Sequence, residues 1–227
     1  MKLLITGGTR GIGFALAKHF AGRGDDVCIV GRKRDHVDGA VDALGCRGIV
    51  ADVGVSCGLA AWAKEAMGGL DAAICAAGVW HAGDTDVVYT NVLGSWNTAL
   101  DACRTMSDGG SVVLFAGGGV GGPNVLPGSL YAATKAAVVV MAESLALQYP
   151  KLRINSVAPG QVATELTGGV GEGPEKAVEL VSWLLSDEAK HITGRCVAVR
   201  DERVVEWSAK YYDCDDGNHG RLRRVLL

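Results

Sequence analysis

Short, unbroken apolar runs alternate with longer stretches in which apolar positions recur every three or four residues, and this alternation covers most of the chain. The short runs predict strands over 2–6, 26–30, 47–51, 72–75, 111–116, 153–158 and 196–199, and the longer stretches predict helices over 12–22, 59–67, 86–106, 129–148 and 174–185. Runs such as Val27-Cys28-Ile29-Val30 and Val112-Val113-Leu114-Phe115 are apolar at successive positions, so both faces of the strand are covered and the sheet is parallel. Strands separated by helices imply an α/β fold, a doubly wound parallel sheet with helices on both faces. Residues 1–200 carry this pattern as one domain. Residues 201–227 lie beyond it as a C-terminal extension whose Trp207, Tyr211 and Tyr212 either cover the domain, pack on a neighbouring subunit or form a partly ordered tail.

At 227 residues the chain is long enough for a single domain with a sizeable core. Its formal charge of −3, with basic residues scattered, excludes a broad cationic surface for nucleic acid. Cysteines 28, 46, 57, 75, 103, 196 and 214 are odd in number and show no CxxC spacing, as expected of reduced thiols in a cytoplasmic protein. The apolar start over 1–5 reaches glycine within two residues, too short for a signal peptide or a membrane span. No metal is expected, because His81, the one histidine near the sites below, lacks partner ligands.

Glycines gather where strands run into helices, at 7–13, 117–122 and 168–173, the end of such a sheet at which ligands bind. Gly7, Gly11 and Gly13, interleaved with Thr9, Arg10 and Ile12, follow the first strand and open the first helix. That context makes the loop a pyrophosphate cradle of the Rossmann type, with backbone N–H groups facing the charge. An NAD site would place a carboxylate at the end of the second strand, but the chain reads Gly31-Arg32-Lys33 there. Together with Arg10 these cations suit a 2′-phosphate, so NADP(H) is the expected cofactor.

Tyr131 and Lys135 stand one helical turn apart. A phenol has an ordinary pKa of about 10, and an ammonium on the same helix face favours its anion, which points to an acid/base pair. Ala132, Ala133, Ala136 and Ala137 around the pair leave room for a bulky cofactor.

In this order the motifs resemble the short-chain dehydrogenase/reductase family over residues 1–200. The resemblance rests on the loop over 6–13, Asp52-Val53, Cys75-Ala76-Ala77-Gly78, Asn91, Tyr131 with Lys135, and Pro159-Gly160 followed by Thr164. It implies hydride transfer between a nicotinamide and a small carbonyl or alcohol, with Tyr131 as general acid or base. Lys135 would lower the phenol's pKa and hold the nicotinamide ribose, Asn91 would support a relay water, and Thr164 would contact the carboxamide. Further cofactor contacts carry over to Asp52, Val53, Ala76, Ala77, Gly78, Pro159, Gly160 and Val162. The resemblance also implies a homodimer or homotetramer, with Trp96 and the apolar positions near Asn91 facing another subunit.

Four features depart from that pattern. The family's serine at the end of the fifth strand is missing from Leu114-Phe115-Ala116-Gly117-Gly118-Gly119, and an unreplaced donor of this kind costs on the order of 10²–10³ in turnover. Backbone N–H groups of the glycine loop and Ser129 are the candidate substitutes. Cys75 replaces an asparagine, the stretches 78–91 and 168–174 are short where a substrate lid normally inserts, and Trp80 and His81 stand near the expected pocket. An alternative reading is therefore a non-catalytic NADP(H)-binding sensor or scaffold, and an epimerase or dehydratase would use the same residues. Retention of Tyr131, Lys135 and Asn91 favours the oxidoreductase.

Overall fold

The computed structural model describes residues 1–80, 84–117 and 130–199. The strands are β1 Lys2–Thr6, β2 Asp26–Gly31, β3 Arg47–Val50, β4 Ala72–Cys75, β5 Ser111–Phe115, β6 Arg153–Ala158 and β7 Cys196–Ala198. They form one parallel sheet in the order β3-β2-β1-β4-β5-β6-β7. The chain winds outward from β1 to β3, then returns to lay β4 against the other side of β1. Thr6, the last residue of β1, pairs with Val30 on one side and Cys75 on the other, which puts the topological switch point, and hence the ligand crevice, at that end.

The helices are α1 Gly11–Gly22, α2 Arg34–Leu44, α3 Leu59–Met67, α4 Asp84–Val88, α5 Ser95–Thr105, α6 Leu130–Gln148 and α7 Glu175–Leu185. Leu16 and Phe20 of α1, Ala40 of α2 and Val181 and Leu184 of α7 pack with Leu3, Ile5 and Ile74 on one face of the sheet. On the other face Ala60 and Ala63 of α3, Ala99 and Ala102 of α5, and Val138, Ala142 and Leu145 of α6 pack with Leu4, Ala73 and Val112. Alternate residues of each strand supply the two cores, and burying a side chain such as Phe20 or Leu145 contributes about 1.5–3 kcal/mol. Among the described helices only α6 is long and apolar enough to cross a membrane by composition, and its Val138, Ala142 and Leu145 are buried in the core on the sheet.

Two elements differ from the pattern-based expectation. The segment Arg34–Leu44, to which the apolar pattern assigns nothing, is a helix ended by Gly45 in the left-handed region. It buries only Val37 and Ala40, and so few apolar positions leave a faint periodic signal. The single helix expected over 86–106 is α4 and α5 joined by a π-helical turn at Tyr89–Gly94. Such turns insert one residue into a helix and are frequent at functional sites. Here the turn carries Asn91, and Gly94 lets it close onto Val53, whose Cγ2 would lie 2.4 Å from any Cβ placed there.

Candidate active site and dinucleotide crevice

The glycine loop lies where β1 and β4 diverge. Gly7 has φ of +69°, and a Cβ there would come within 2.8 Å of the Ala77 backbone. A Cβ on Gly13 would stand 2.3 Å from the Gly7 carbonyl oxygen. Both positions therefore exclude a side chain, and the loop packs directly on Ala76 and Ala77. Gly7 and Gly8 donate their N–H groups to Val30 O at 2.9 and 3.3 Å, so those two amides serve the sheet. Arg10, extended at the N-cap of α1, forms no side-chain cap. The first amides of α1 are thus not claimed by a side-chain cap, as an anion site needs.

Some of the residues expected to contact a cofactor pack on or beside this loop. Thr9 packs over Gly31, where a Cβ would meet its Cγ2 at 2.5 Å, and Arg32 and Lys33 follow at the end of β2 and the N-cap of α2. Arg32 Nη1 lies 3.9 Å from Asp52 Oδ2, and Asp52 Oδ1 accepts the Gly54 N–H at 2.9 Å. Val53 is buried. After β6, Pro159-Gly160 leads into a ribbon in which Val162 bridges to Glu172, with a 3-10 turn at Glu165–Thr167. The ribbon returns Thr164 to the nucleotide loop, its Cγ2 3.3 Å from a Cβ built on Gly11. An ion pair between Arg10 and Glu165 joins the two loops. The short stretch expected in place of a lid is this closed ribbon, with α7 beginning directly behind it.

Tyr131 and Lys135 occupy the first turns of α6, beside the ends of β4 and β5. Lys135 is 5% exposed, and its Nζ donates to Phe115 O at 2.8 Å while lying 5.6 Å from the centroid of the Tyr131 ring. Burial lowers the lysine's pKa to about 8. It also raises that of Tyr131 to about 12, opposite to the acidification expected from the i, i+4 spacing. The reason is geometric. The ammonium is turned to a carbonyl oxygen, and desolvation of the phenolate outweighs its field.

Gly117 lies two residues beyond the end of β5, in the stretch from which a serine is missing. A Cβ there would lie 2.7 Å from Lys135 Cγ, 3.1 Å from Lys135 Cβ and 3.4 Å from Tyr131 Cε1. The root of the lysine fills the space a serine would need. Residues 118–122 of the glycine loop, Ser129, His81 and the extension 201–227 lie outside the described residues.

Asn91 is fully buried. Its Oδ1 accepts the Val79 N–H at 2.9 Å, and its Nδ2 donates to Val79 O at 2.9 Å and to Thr134 Oγ1 at 3.1 Å. These contacts tie Asn91, the residue expected to support a relay water, to Val79 and α6. Thr134, which sequence reasoning missed, donates in turn to Tyr131 O at 2.7 Å. Its place one residue before Lys135 was the only available signal. Trp80 stacks on Tyr131 with ring centroids 5.3 Å apart and 17° between planes.

A family model described as short chain dehydrogenase matches residues 2–175, a span holding the nucleotide loop, Asn91, Tyr131 and Lys135. The chain belongs to the short-chain dehydrogenase family. It is accordingly a nicotinamide-dependent oxidoreductase acting on small molecules. Oxidoreductase UcpA of Escherichia coli is 31% identical over 84% of this chain and 89% of its own length. The 3alpha-hydroxysteroid dehydrogenase of Mediterraneibacter gnavus is 29% identical, over 86% of this chain and 94% of that protein. A short chain dehydrogenase from Burkholderia cenocepacia, solved in complex with NADP, superposes with a TM-score of 0.76 at 27% identity, covering 87% of this chain and 95% of the other.

Proposed function

We propose that this short-chain dehydrogenase uses NADP(H) to interconvert a small carbonyl compound and its alcohol, with Tyr131 as the proton donor or acceptor. The observation that supports the reading is that Lys135 and the Tyr131 ring pack beside Gly117, and Lys135 Nζ also beside Gly78, next to the segment Ala76–Ala77 on which the glycine loop rests. Gly78 lies between them and that loop, and a Cβ on it would stand 3.4 Å from Asn91 Oδ1 and 3.6 Å from Lys135 Nζ. The glycine keeps open a cradle lined by these polar groups, which fits a nicotinamide ribose. When bound, the dinucleotide supplies or accepts the hydride. Lys135 has spent one N–H on Phe115 O and keeps two for ribose hydroxyls. Tyr131, held as the neutral phenol by burial, gives its proton to the substrate oxygen as negative charge grows there.

Arg10, Arg32 and Lys33 around the Thr9–Gly31 contact support NADP(H) over NAD(H), and the NADP complex of the Burkholderia relative agrees. A reducing, cytoplasmic setting is supported by six free cysteines among the described residues. A homodimer or homotetramer is supported by exposed Tyr89 and Leu93 on the π turn and Val140 and Leu147 on α6. The test is NADPH oxidation over a panel of ketones, aldehydes and quinones, with Tyr131→Phe as control. Turnover by the wild type that falls about 10²- to 10⁴-fold in the variant is expected. Tight NADPH binding with both proteins equally inert would instead favour the sensor.

A further inference from the structure

Trp80 is aimed by the same network that holds Tyr131. It follows Val79, whose N–H and C=O are both clamped by the Asn91 amide at 2.9 Å. That amide also reaches Thr134, whose hydroxyl binds the Tyr131 carbonyl. The segment carrying the indole and the helix turn carrying the phenol are thus tied to one buried side chain. The rings meet as a near-parallel stack, 5.3 Å between centroids and 17° between planes. Trp80 is only half-buried, so the indole has surface left to offer after covering the phenol.

We infer that Trp80 orients Tyr131 and is the specificity-determining wall of the carbonyl pocket, favouring flat, conjugated carbonyl compounds over saturated ones of equal size. The inference rests on Tyr131 being the proton donor. A carbonyl oxygen accepting from the phenol sits roughly 2.7 Å from its oxygen, which brings the group attached to that carbonyl beside the larger bicyclic plane. Gly117 contributes no side-chain hydroxyl, so stacking and shape carry more of the substrate's orientation. An aromatic group on the indole gains an offset-stacked contact that a puckered ring of the same atom count cannot make.

The experiment compares wild type, Trp80→Leu and Trp80→Phe, each loaded with NADPH. Equilibrium binding of benzamide and cyclohexanecarboxamide, carbonyl ligands that are not reduced, is measured beside kcat and KM for benzaldehyde and cyclohexanecarbaldehyde. Trp80→Leu is expected to lower the aromatic-to-saturated preference roughly three- to tenfold, the range of one aromatic pair, with Trp80→Phe keeping most of it and NADPH affinity unchanged. It should also depress kcat for both aldehydes and shift the pH profile of kcat, because the phenol loses its stacked partner. An equal preference in wild type and Trp80→Leu, or an equal loss in Trp80→Phe and Trp80→Leu, overturns the inference. If no aldehyde is reduced by any form while the amide preference still drops in Trp80→Leu, the oxidoreductase reading fails and the indole wall stands.

Discussion

Placing a side chain at Gly117 separates a site that has merely lost a serine from one rebuilt without it. If only the hydroxyl were missing, Gly117→Ser would restore a donor worth on the order of 10²–10³ in turnover. The structure predicts the reverse. A Cβ at this position meets Lys135 Cγ at 2.7 Å and Lys135 Cβ at 3.1 Å, well inside the 3.5–4.0 Å or so of ordinary carbon contacts. Lys135 Cβ is fixed to α6, and Cγ could turn aside only if Nζ gave up its hydrogen bond to Phe115 O. Relief must come from moving α6 or the end of β5, an overpacking cost of about 1–3 kcal/mol. For a domain of this length each kcal/mol lowers Tm by about 2–4 °C. Gly117→Ser and Gly117→Ala should therefore both melt roughly 2–12 °C lower, with NADPH-dependent turnover unchanged or reduced in each. A Gly117→Ser variant that melts with the wild type and turns over at least about tenfold faster would refute the packing argument.

Two further outcomes follow from the charged groups. The Lys135 ammonium, with its pKa lowered to about 8 by burial, is protonated in folded and unfolded chains alike below pH 8, where the burial cost is borne in full. Between about pH 8 and the unfolded value of 10.5 the unfolded chain binds more protons, so stability rises with pH, by on the order of 3 kcal/mol over the whole window. Urea midpoints of wild type and Lys135→Met should converge or cross as pH rises from 7 to 9.5, and a pH-independent gap between them would count against the buried charge. Tyr131 acts oppositely, but only above about pH 10, outside that range. Arg32→Ala should weaken NADPH binding about tenfold, since a charge-assisted contact at a half-exposed site belongs at the low end of 1.5–3 kcal/mol. NADH affinity should not change, and titration calorimetry showing equal losses for both would sink the 2′-phosphate assignment.

Legibility in the sequence followed how strongly each feature is written in local pattern. The inner strands were readable because a strand buried on both faces must be continuously apolar, and Val27–Val30 and Val112–Phe115 are, whereas the edge strand Arg47–Val50 buries only Ile49. The glycine loop was readable because Gly7 and Gly13 sit where backbone meets backbone, a demand only glycine satisfies. Helix α2 was not readable, since at the sheet's rim two buried residues suffice. The π turn was not readable either, because it arises from Asn91 reaching across to Val79, a contact between segments that no local period encodes. The Tyr131–Lys135 spacing correctly put both residues on one helix face but could not reveal that Phe115 O takes the ammonium. Trp80 was noticed only by position, as its partner Tyr131 lies 51 residues away.

The departures at this site form one arrangement. Lys135 runs through the volume beside Gly117 and ends on the carbonyl of Phe115, so the segment after β5 holds the lysine. With the ammonium so engaged, the phenol stays protonated to about pH 12, and removing its proton at pH 7 costs on the order of 7 kcal/mol against about 4 for an ordinary tyrosine. A proton donor is ready in that state, whereas a proton acceptor is not. On the proposed chemistry, a field that stabilises the phenol's anion, such as the lysine's, would be needed before Tyr131 could accept a proton. In the proposed site, the Asn91 contacts with Val79 and Thr134 and the Trp80 stack hold the helix turn and ring of Tyr131.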